Sequence, residues 1–174
     1  MVYQKAFFPM DVVNIVQGYG VKSKTHKLSF ALNLKGKYVV WAPFDCKITK
    51  VYRPKNMYES VSTIWLTSKQ KVLSPNGCCG YLTVSITCFG KITKLEKGQQ
   101  FCQGDYLFKN VNGQIHLEVA CGKIAGWEKK TALGYTEYVI KNAVRTEDFL
   151  FLKKKTFVKN VIYKGKKYIF VKES

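Results

Sequence analysis

Residues 114–120 read Gln-Ile-His-Leu-Glu-Val-Ala, and polar and apolar side chains alternate from Gln114 to Val119. Ile115, Leu117 and Val119 would share one face of an extended chain, and the polar residues between them would share the other. A period of two residues is typical of a β-strand that buries one face. The stretch therefore predicts a half-buried strand that carries an imidazole and a carboxylate on its polar face.

The same alternation recurs elsewhere in the chain. In residues 81–89, one face would hold Leu82, Val84, Ile86 and Cys88. Asn-Gly pairs, which favour tight turns, separate such segments. We therefore predict a mainly β fold, an antiparallel sheet or open barrel-like core with one short helix and a C-terminal β-hairpin. The further predicted strands are 38–41, 46–52, 62–66 and 81–89, and the predicted helix is 146–152, capped by Thr146.

The chain has 174 residues, of which 47% are hydrophobic, so it can form one compact core. Its last part changes character, because lysines crowd residues 153–174. Two strands, 156–163 and 168–171, are predicted there around a turn at Gly165. We divide the chain into a main domain at 1–152 and a lysine-rich hairpin at 153–174, packed on that domain or appended to it.

Positive charge dominates the composition. Lys and Arg number 29 and Asp and Glu number 11, which gives a net charge of +18. Such a field favours an anionic partner and does little for a neutral one. Aromatic residues alternate with lysines near the C-terminus, a mixture that suits nucleotides, nucleic acid or a phosphate-bearing wall polymer such as teichoic acid. The lysines predicted to bind such a ligand are Lys153, Lys154, Lys155, Lys164, Lys166 and Lys167.

The cysteines and the N-terminal residues bear on the cellular compartment. None of the six cysteines forms a Cys-x-x-Cys pair, which argues against a zinc ribbon. Residues 1–20 lack the basic and apolar regions of a secretory signal, and no apolar run approaches the roughly 20 residues of a membrane span. We therefore expect reduced thiols in a protein made in the host cytoplasm without a signal peptide.

Several short segments follow one another in a distinctive order. They are residues 25–33 (Thr-His-Lys-Leu-Ser-Phe-Ala-Leu-Asn), 42–45 (Ala-Pro-Phe-Asp), 97–99 (Lys-Gly-Gln), 103–105 (Gln-Gly-Asp) and 112–119 (Asn-Gly-Gln-Ile-His-Leu-Glu-Val). This order resembles the lysostaphin-like (LytM-type) zinc endopeptidases that cut peptidoglycan, in particular the domains found in phage lytic and tail proteins. The resemblance covers roughly residues 11–152 and excludes the C-terminal hairpin.

The resemblance implies a role for five positions of this chain. The first zinc-ligand histidine falls on His26, the ligand aspartate on Asn33 and the second ligand histidine on His116. The two catalytic histidines of the family fall on Gln114 and, counting back from Gly98, on Cys88. Three of the five positions thus carry a residue that the family does not use there.

These changes bear directly on catalysis. A catalytic zinc site needs three protein ligands and an open position, where the metal lowers the pKa of a bound water to about 7. Asn33 lacks the negative charge of a carboxylate, and Gln114 cannot accept or release a proton. A positioned acid or base contributes about 10²–10⁴-fold to rate. The resemblance therefore implies a peptidase-like protein that has lost its activity.

Two interpretations of the remnant site stay open at this point. In one, His26, Asn33, His116 and Cys88 hold a metal in a rebuilt site, with zinc as the candidate, since a His₂Cys set is established zinc chemistry. In the other, which we favour, no cofactor is present and these residues line a groove that binds a new ligand.

Three functions follow. The first is a non-catalytic, phage-encoded protein that binds cell-wall polymer or another anion, compatible with a place in the virion. The second is an intracellular phage counter-defence protein that binds nucleotides or nucleic acid. The third is a residual zinc-dependent endopeptidase. The oligomeric state is left open by the sequence.

Overall fold

A computed structural model describes residues 2–18, 32–53, 61–90, 92, 94–110, 113–132, 135–163 and 165–174. The first nine strands are β1 (Gln4–Lys5), β2 (Val12–Gly18), β3 (Leu32–Lys35), β4 (Tyr38–Trp41), β5 (Cys46–Tyr52), β6 (Val61–Ser68), β7 (Val72–Leu73), β8 (Cys79–Gly80) and β9 (Leu82–Phe89). The later elements are β10 (Gln100–Phe101), β11 (Tyr106–Asn110), β12 (Gln114–Cys121), β13 (Trp127–Ala132), β14 (Tyr135–Ile140), β15 (Ala143–Val144), α1 (Thr146–Phe149), β16 (Phe157–Asn160), β17 (Ile162–Tyr163) and β18 (Lys166–Lys167).

Nine strands form the main sheet. Their order is β10-β5-β6-β9-β12-β3-β2-β16, and β15 pairs with β12 outside this path. All of these pairings are antiparallel except that of β16 with β2, which is parallel. Among the described strands the sheet stays open, with β10 and β16 at its edges. The prediction of a mainly β, open antiparallel fold with one short helix is confirmed.

One face of the main sheet forms the core. The apolar set predicted from residues 81–89 is buried there, and so is the set predicted from residues 114–120. Burying one such aliphatic side chain contributes about 1.5–3 kcal/mol, so this face supplies much of the stability. The core residues from the central strands are Ile48, Ile64, Leu66, Leu82, Val84, Ile86, Cys88, Ile115, Leu117 and Val119.

A second layer covers this apolar face. Strands β4 and β11 pair with each other, and β4 contributes Tyr38 and Val40 to the core. The N-terminal segment adds Phe8 and Met10, and Met10 forms a β-bridge with Val40. The opposite face of the main sheet is left for polar side chains and for the hairpin of β13 and β14.

The helix is shorter than predicted. It spans Thr146–Phe149, and Arg145 occupies the N-cap position without a side-chain hydrogen bond to the helix. The Thr146 hydroxyl is buried and has no hydrogen-bond partner among the described residues. Thr146 therefore lies inside the helix rather than capping it, and the extended backbone at Leu150 ends the helix after one turn.

The C-terminal hairpin is also smaller than predicted. It consists of β17 and β18, while Phe157–Asn160 leaves it and joins the main sheet beside β2. Tyr168 is buried, and the rings of Phe170 and Phe8 meet edge to face with 5.6 Å between their centroids. Residues after 152 thus complete the sheet and the core in the described part of the chain.

The six cysteines differ sharply in exposure, which predicts a labelling pattern. Burial raises the pKa of the Cys46 thiol to about 12 and that of Cys88 to about 11, so neither forms the reactive thiolate at neutral pH. With an aromatic disulfide reagent near pH 8, these two thiols should react only after denaturation. Rapid reaction is expected at the exposed thiols, Cys78, Cys79 and Cys102, and mass spectrometry of the labelled peptides would locate each site. Fast labelling of Cys88 in the folded protein would contradict its burial.

Candidate functional site

A row of polar positions crosses the face of the main sheet that lies opposite the core. Four neighbouring strands supply these positions in register. Thr63 on β6 pairs with Thr87 on β9, which pairs with His116 on β12. His116 in turn pairs with Asn33 on β3. The hydroxyl oxygens of Thr63 and Thr87 lie 2.8 Å apart, at hydrogen-bond distance. The strand register therefore brings positions 33 and 116, which are far apart in the chain, directly opposite each other.

His116 and Glu118 form a polar pair beside this row. The Nε2 atom of His116 lies 3.3 Å from Oε1 of Glu118, whose side chain is buried. The other carboxylate oxygen of Glu118 accepts a hydrogen bond from the Ile140 amide at 3.3 Å. Because Ile140 ends β14, the carboxylate fixes the β13–β14 hairpin against the sheet while it holds the imidazole.

These residues line a groove of about 450 Å³. Its floor is polar, with hydroxyls from two strands beside the His116–Glu118 pair. Its rim is aromatic, because Tyr138 is 66% exposed and Trp127 is 39% exposed. Exposed aromatic rings over a polar floor suit a ligand that has both apolar faces and hydrogen-bonding groups. The groove residues are Tyr52, Val61, Thr63, Ser85, Thr87, His116, Glu118, Trp127 and Tyr138.

The predicted site residues are only partly brought together. His116 lies in the groove, and the backbone of Asn33 lies opposite it. Gln114 is exposed at the start of β12. His26 lies outside the described residues.

A zinc site needs three protein ligands. In the described part of the chain, no group of three His, Cys, Asp or Glu side chains is placed to hold a metal ion. The described side chains of the groove offer His116 and Glu118, which do not by themselves make such a site.

The structure places Cys88 away from the groove. Cys88 pairs with Ile115 across β9 and β12, and both side chains are buried in the core. The groove-facing neighbour is Thr87, the partner of His116. Cys88 therefore does not face the groove, since adjacent strand residues point to opposite faces.

The C-terminal lysines predicted as ligand-binding do not line the groove where the structure describes them. The Nζ of Lys153 lies 6.0 Å from the ring centroid of Phe7, and that of Lys166 lies 5.3 Å from the ring centroid of Tyr168. Lys154, Lys155 and Lys167 are exposed. Lys164 lies outside the described residues.

Sequence analysis missed a different set of lysines. They line a cavity of about 560 Å³ on the same sheet face as the groove. Two of them lie on β5, and the other three lie after β6, before β10 and after β12, so no local sequence pattern predicts the set. We call this cavity the lysine pocket and define it by Lys47, Lys50, Lys69, Lys97 and Lys123.

Two tryptophans separate the lysine pocket from the groove. Trp65 lines the lysine pocket and Trp127 lines the groove, and their rings meet edge to face at 5.1 Å. The Nζ of Lys50 lies 3.7 Å from the centroid of Trp127 and 4.8 Å from that of Trp65. These cation–π contacts hold Lys50 in place.

Comparison with known proteins gives one informative match. No protein-family model matches the chain. The chain is 34% identical over 145 residues to "Morphogenesis protein 1" of Bacillus phage B103, and the alignment covers 77% of this chain. The chain is related to a phage protein. The match covers 38% of that relative, so the chain spans well under half of the relative's length.

Among solved structures, the chain is similar to one described as "crystal structure of cbpa from L. salivarius REN". The TM-score is 0.41 at 14% identity, with 66% of this chain and 70% of that chain covered. This likeness is too distant to inform function. Separately, none of the described residues forms a helix long and apolar enough to cross a bilayer.

Proposed function

We propose that this phage-encoded protein binds cell-wall polymer through the groove and does not hydrolyse it. The proposal retains the ancestry suggested by the sequence, in which the groove descends from the active site of a lysostaphin-like peptidase. The relative named for phage morphogenesis supports a phage origin and is compatible with a place in the virion.

The proposal rests mainly on which residue types occupy the paired positions that cross the groove floor. In the register of the sheet, His116 faces the position of Asn33 on one side and Thr87 on the other. The sequence has asparagine at position 33 and threonine at position 87, and in the proposed ancestry a peptidase would need a charged ligand and a proton carrier at these two positions. Hydrogen-bonding groups remain on the floor, and they suit binding of a polar chain.

The rim supports binding of a glycan or peptide chain. Tyr138 and Trp127 present ring faces and edges beside a polar floor. Sugar rings and stem-peptide side chains have apolar faces that pack on such aromatics, while their hydroxyls and amides reach the polar groups below. The rim and the floor together thus match the mixed chemistry of peptidoglycan.

We expect Tyr138→Ala to weaken binding to purified Gram-positive walls by about 3–10-fold, since an exposed aromatic contact contributes about 0.5–1.5 kcal/mol. Walls stripped of teichoic acid should be used, so that the measurement reports the groove alone. The readout is the fraction of protein that pellets with the walls. Tyr106→Ala is the matched control, because Tyr106 is 55% exposed and does not line the groove.

Hydrolysis is followed in the same samples. Wall turbidity should stay constant with added zinc. A zinc-dependent fall in turbidity that His116→Ala abolishes would favour the residual endopeptidase instead. Equal loss of pelleting in the Tyr138 and Tyr106 variants, or no pelleting of the unmodified protein, would contradict binding by the groove.

A further inference from the structure

The lysine pocket concentrates positive charge in a concave site. Five lysines line it, and no Asp or Glu is among its lining residues in the described part of the chain. The neighbouring acids have partners elsewhere. Glu96 pairs with Arg53 at 3.1 Å, and Asp45 accepts hydrogen bonds from the Gln4 side chain and the Gln103 amide. Hydrogen bonds from Gln4 and Gln103 lower the Asp45 pKa, and the nearby Lys69 lowers it further, so Asp45 partly balances the charge of Lys69. The pocket is therefore electropositive mainly through its other four lysines.

Lys50 shows the effect of this crowding. Burial and the nearby Lys97 both lower its pKa. A bound anion would relieve the repulsion between the two ammonium groups, and it would act in a partly desolvated site where charge interactions are less screened. The cation–π contacts with the tryptophans fix Lys50, so less side-chain entropy is lost when a ligand binds.

The floor of the pocket consists of threonines with a defined hydrogen-bond direction. Thr83 donates its hydroxyl proton to the Gly122 carbonyl at 2.8 Å. Thr67, 3.1 Å from Thr83, must therefore donate to it. Thr49 then donates either to Thr67 at 3.0 Å or to the Trp65 carbonyl at 3.5 Å. The chain begins at Thr49, whose oxygen is left as an acceptor facing the pocket. A ligand that fits should bring hydroxyl donors as well as negative charge.

The aromatic surface of the pocket is not available to a nucleobase. Trp65 is the only aromatic residue among the described lining residues, and it is 1% exposed beneath Lys50. Base stacking requires an open ring face. The lining thus favours a ligand with phosphates and hydroxyls and without a flat aromatic ring.

We propose that the lysine pocket binds the phosphodiester groups of a polyol-phosphate wall polymer of the teichoic acid type. The lysines would contact phosphate oxygens, and Thr49 would accept from a polyol hydroxyl. This inference rests on the proposed function, since it names the anionic component of the same wall. The contact between Trp65 and Trp127 makes the lysine pocket and the groove neighbours, so one wall fragment can reach both.

The test uses the full chain and purified poly(glycerol phosphate). The pocket variant combines Lys47→Gln, Lys97→Gln and Lys123→Gln, three exposed lysines, and leaves Lys50 in its tryptophan contacts. We expect its affinity to fall at least about tenfold in isothermal titration near 0.15 M salt. The control variant, Lys141→Gln with Lys159→Gln and Lys172→Gln, removes the same charge from exposed positions outside the lysine pocket and should lose less than about twofold.

Three other outcomes would overturn the inference, and a fourth would bear only on the groove proposal. Equal losses in both variants would mean attraction by net charge alone. Absence of poly(glycerol phosphate) binding, with pelleting on stripped walls retained, would refute the lysine pocket and leave the groove proposal standing. Tighter, pocket-dependent binding of a single-stranded oligonucleotide would favour the nucleic-acid alternative. Failure to bind stripped walls, with poly(glycerol phosphate) still bound, would contradict the groove proposal alone.

Discussion

Replacing Trp65 with alanine is expected to lower the free energy of unfolding by about 3–5 kcal/mol, the usual cost of deleting a buried large aromatic side chain. Trp65 is 1% exposed and packs with Ala120 and Ile140 on the groove side of the sheet. Its loss would also remove the ring contact with Trp127 and one of the cation–π contacts of Lys50. Urea denaturation followed by far-ultraviolet circular dichroism measures the change.

Two further variants separate the causes of that loss. Trp127→Ala should cost about 1 kcal/mol, because Trp127 is 39% exposed and leaves a smaller void. Trp65→Phe should cost well under half of the alanine change. The Nε1–H of Trp65 is buried without a hydrogen-bond partner among the described residues, so its removal relieves a desolvation cost. Similar losses in Trp65→Ala and Trp127→Ala would contradict the burial of Trp65.

Replacing Cys88 with histidine should destabilise the fold by about 2–5 kcal/mol, the sum of overpacking and burial of a polar ring. Cys88 lies among apolar core residues and is 4% exposed. The neighbouring Ser62 hydroxyl already donates to the Gly90 carbonyl and accepts from the Ile92 amide, so a larger imidazole would have to compete with these hydrogen bonds. The same denaturation experiment reports this loss.

Thr87→His is the matched control on the adjacent residue. It places the imidazole on the groove face, where the cost should be about 1 kcal/mol for the lost hydrogen bond to Thr63. A Cys88→His variant as stable as the Thr87→His variant would show that the face assignment of β9 is wrong.

The sequence was informative wherever periodicity decided the structure. The alternation in residues 81–89 and 114–120 predicted which side chains form the core. A strand with one face in the core and the other in water places apolar side chains on the first face and polar side chains on the second. The same alternation places Cys88 in the core, as the structure shows. Its proposed catalytic role came instead from counting back from Gly98 through a loop, which carries an uncertainty of one residue. In a strand, one residue changes the face.

The lysine pocket could not have been predicted in the same way. Lys47, Lys97 and Lys123 lie on separate segments, and only the pairing of β5 with β6 and β10, together with the loop after β12, brings them to one cavity. The C-terminal lysines were predicted as ligand-binding because they lie close together in the sequence. Lysines that are adjacent in the sequence form an exposed charged surface. Lysines from distant segments can instead line a concave pocket, and only the tertiary structure shows that they do.

The parallel pairing of β16 with β2 has a consequence for handling the protein. A chain shortened after residue 152 would leave the backbone groups of β2 without this neighbour and would uncover the ring of Phe8. Unpaired edges of this kind recruit strands from other molecules. Residues 153–174 thus cover β2 and Phe8, and we expect a chain without them to be less stable, so fusion partners are better joined beyond them than in their place.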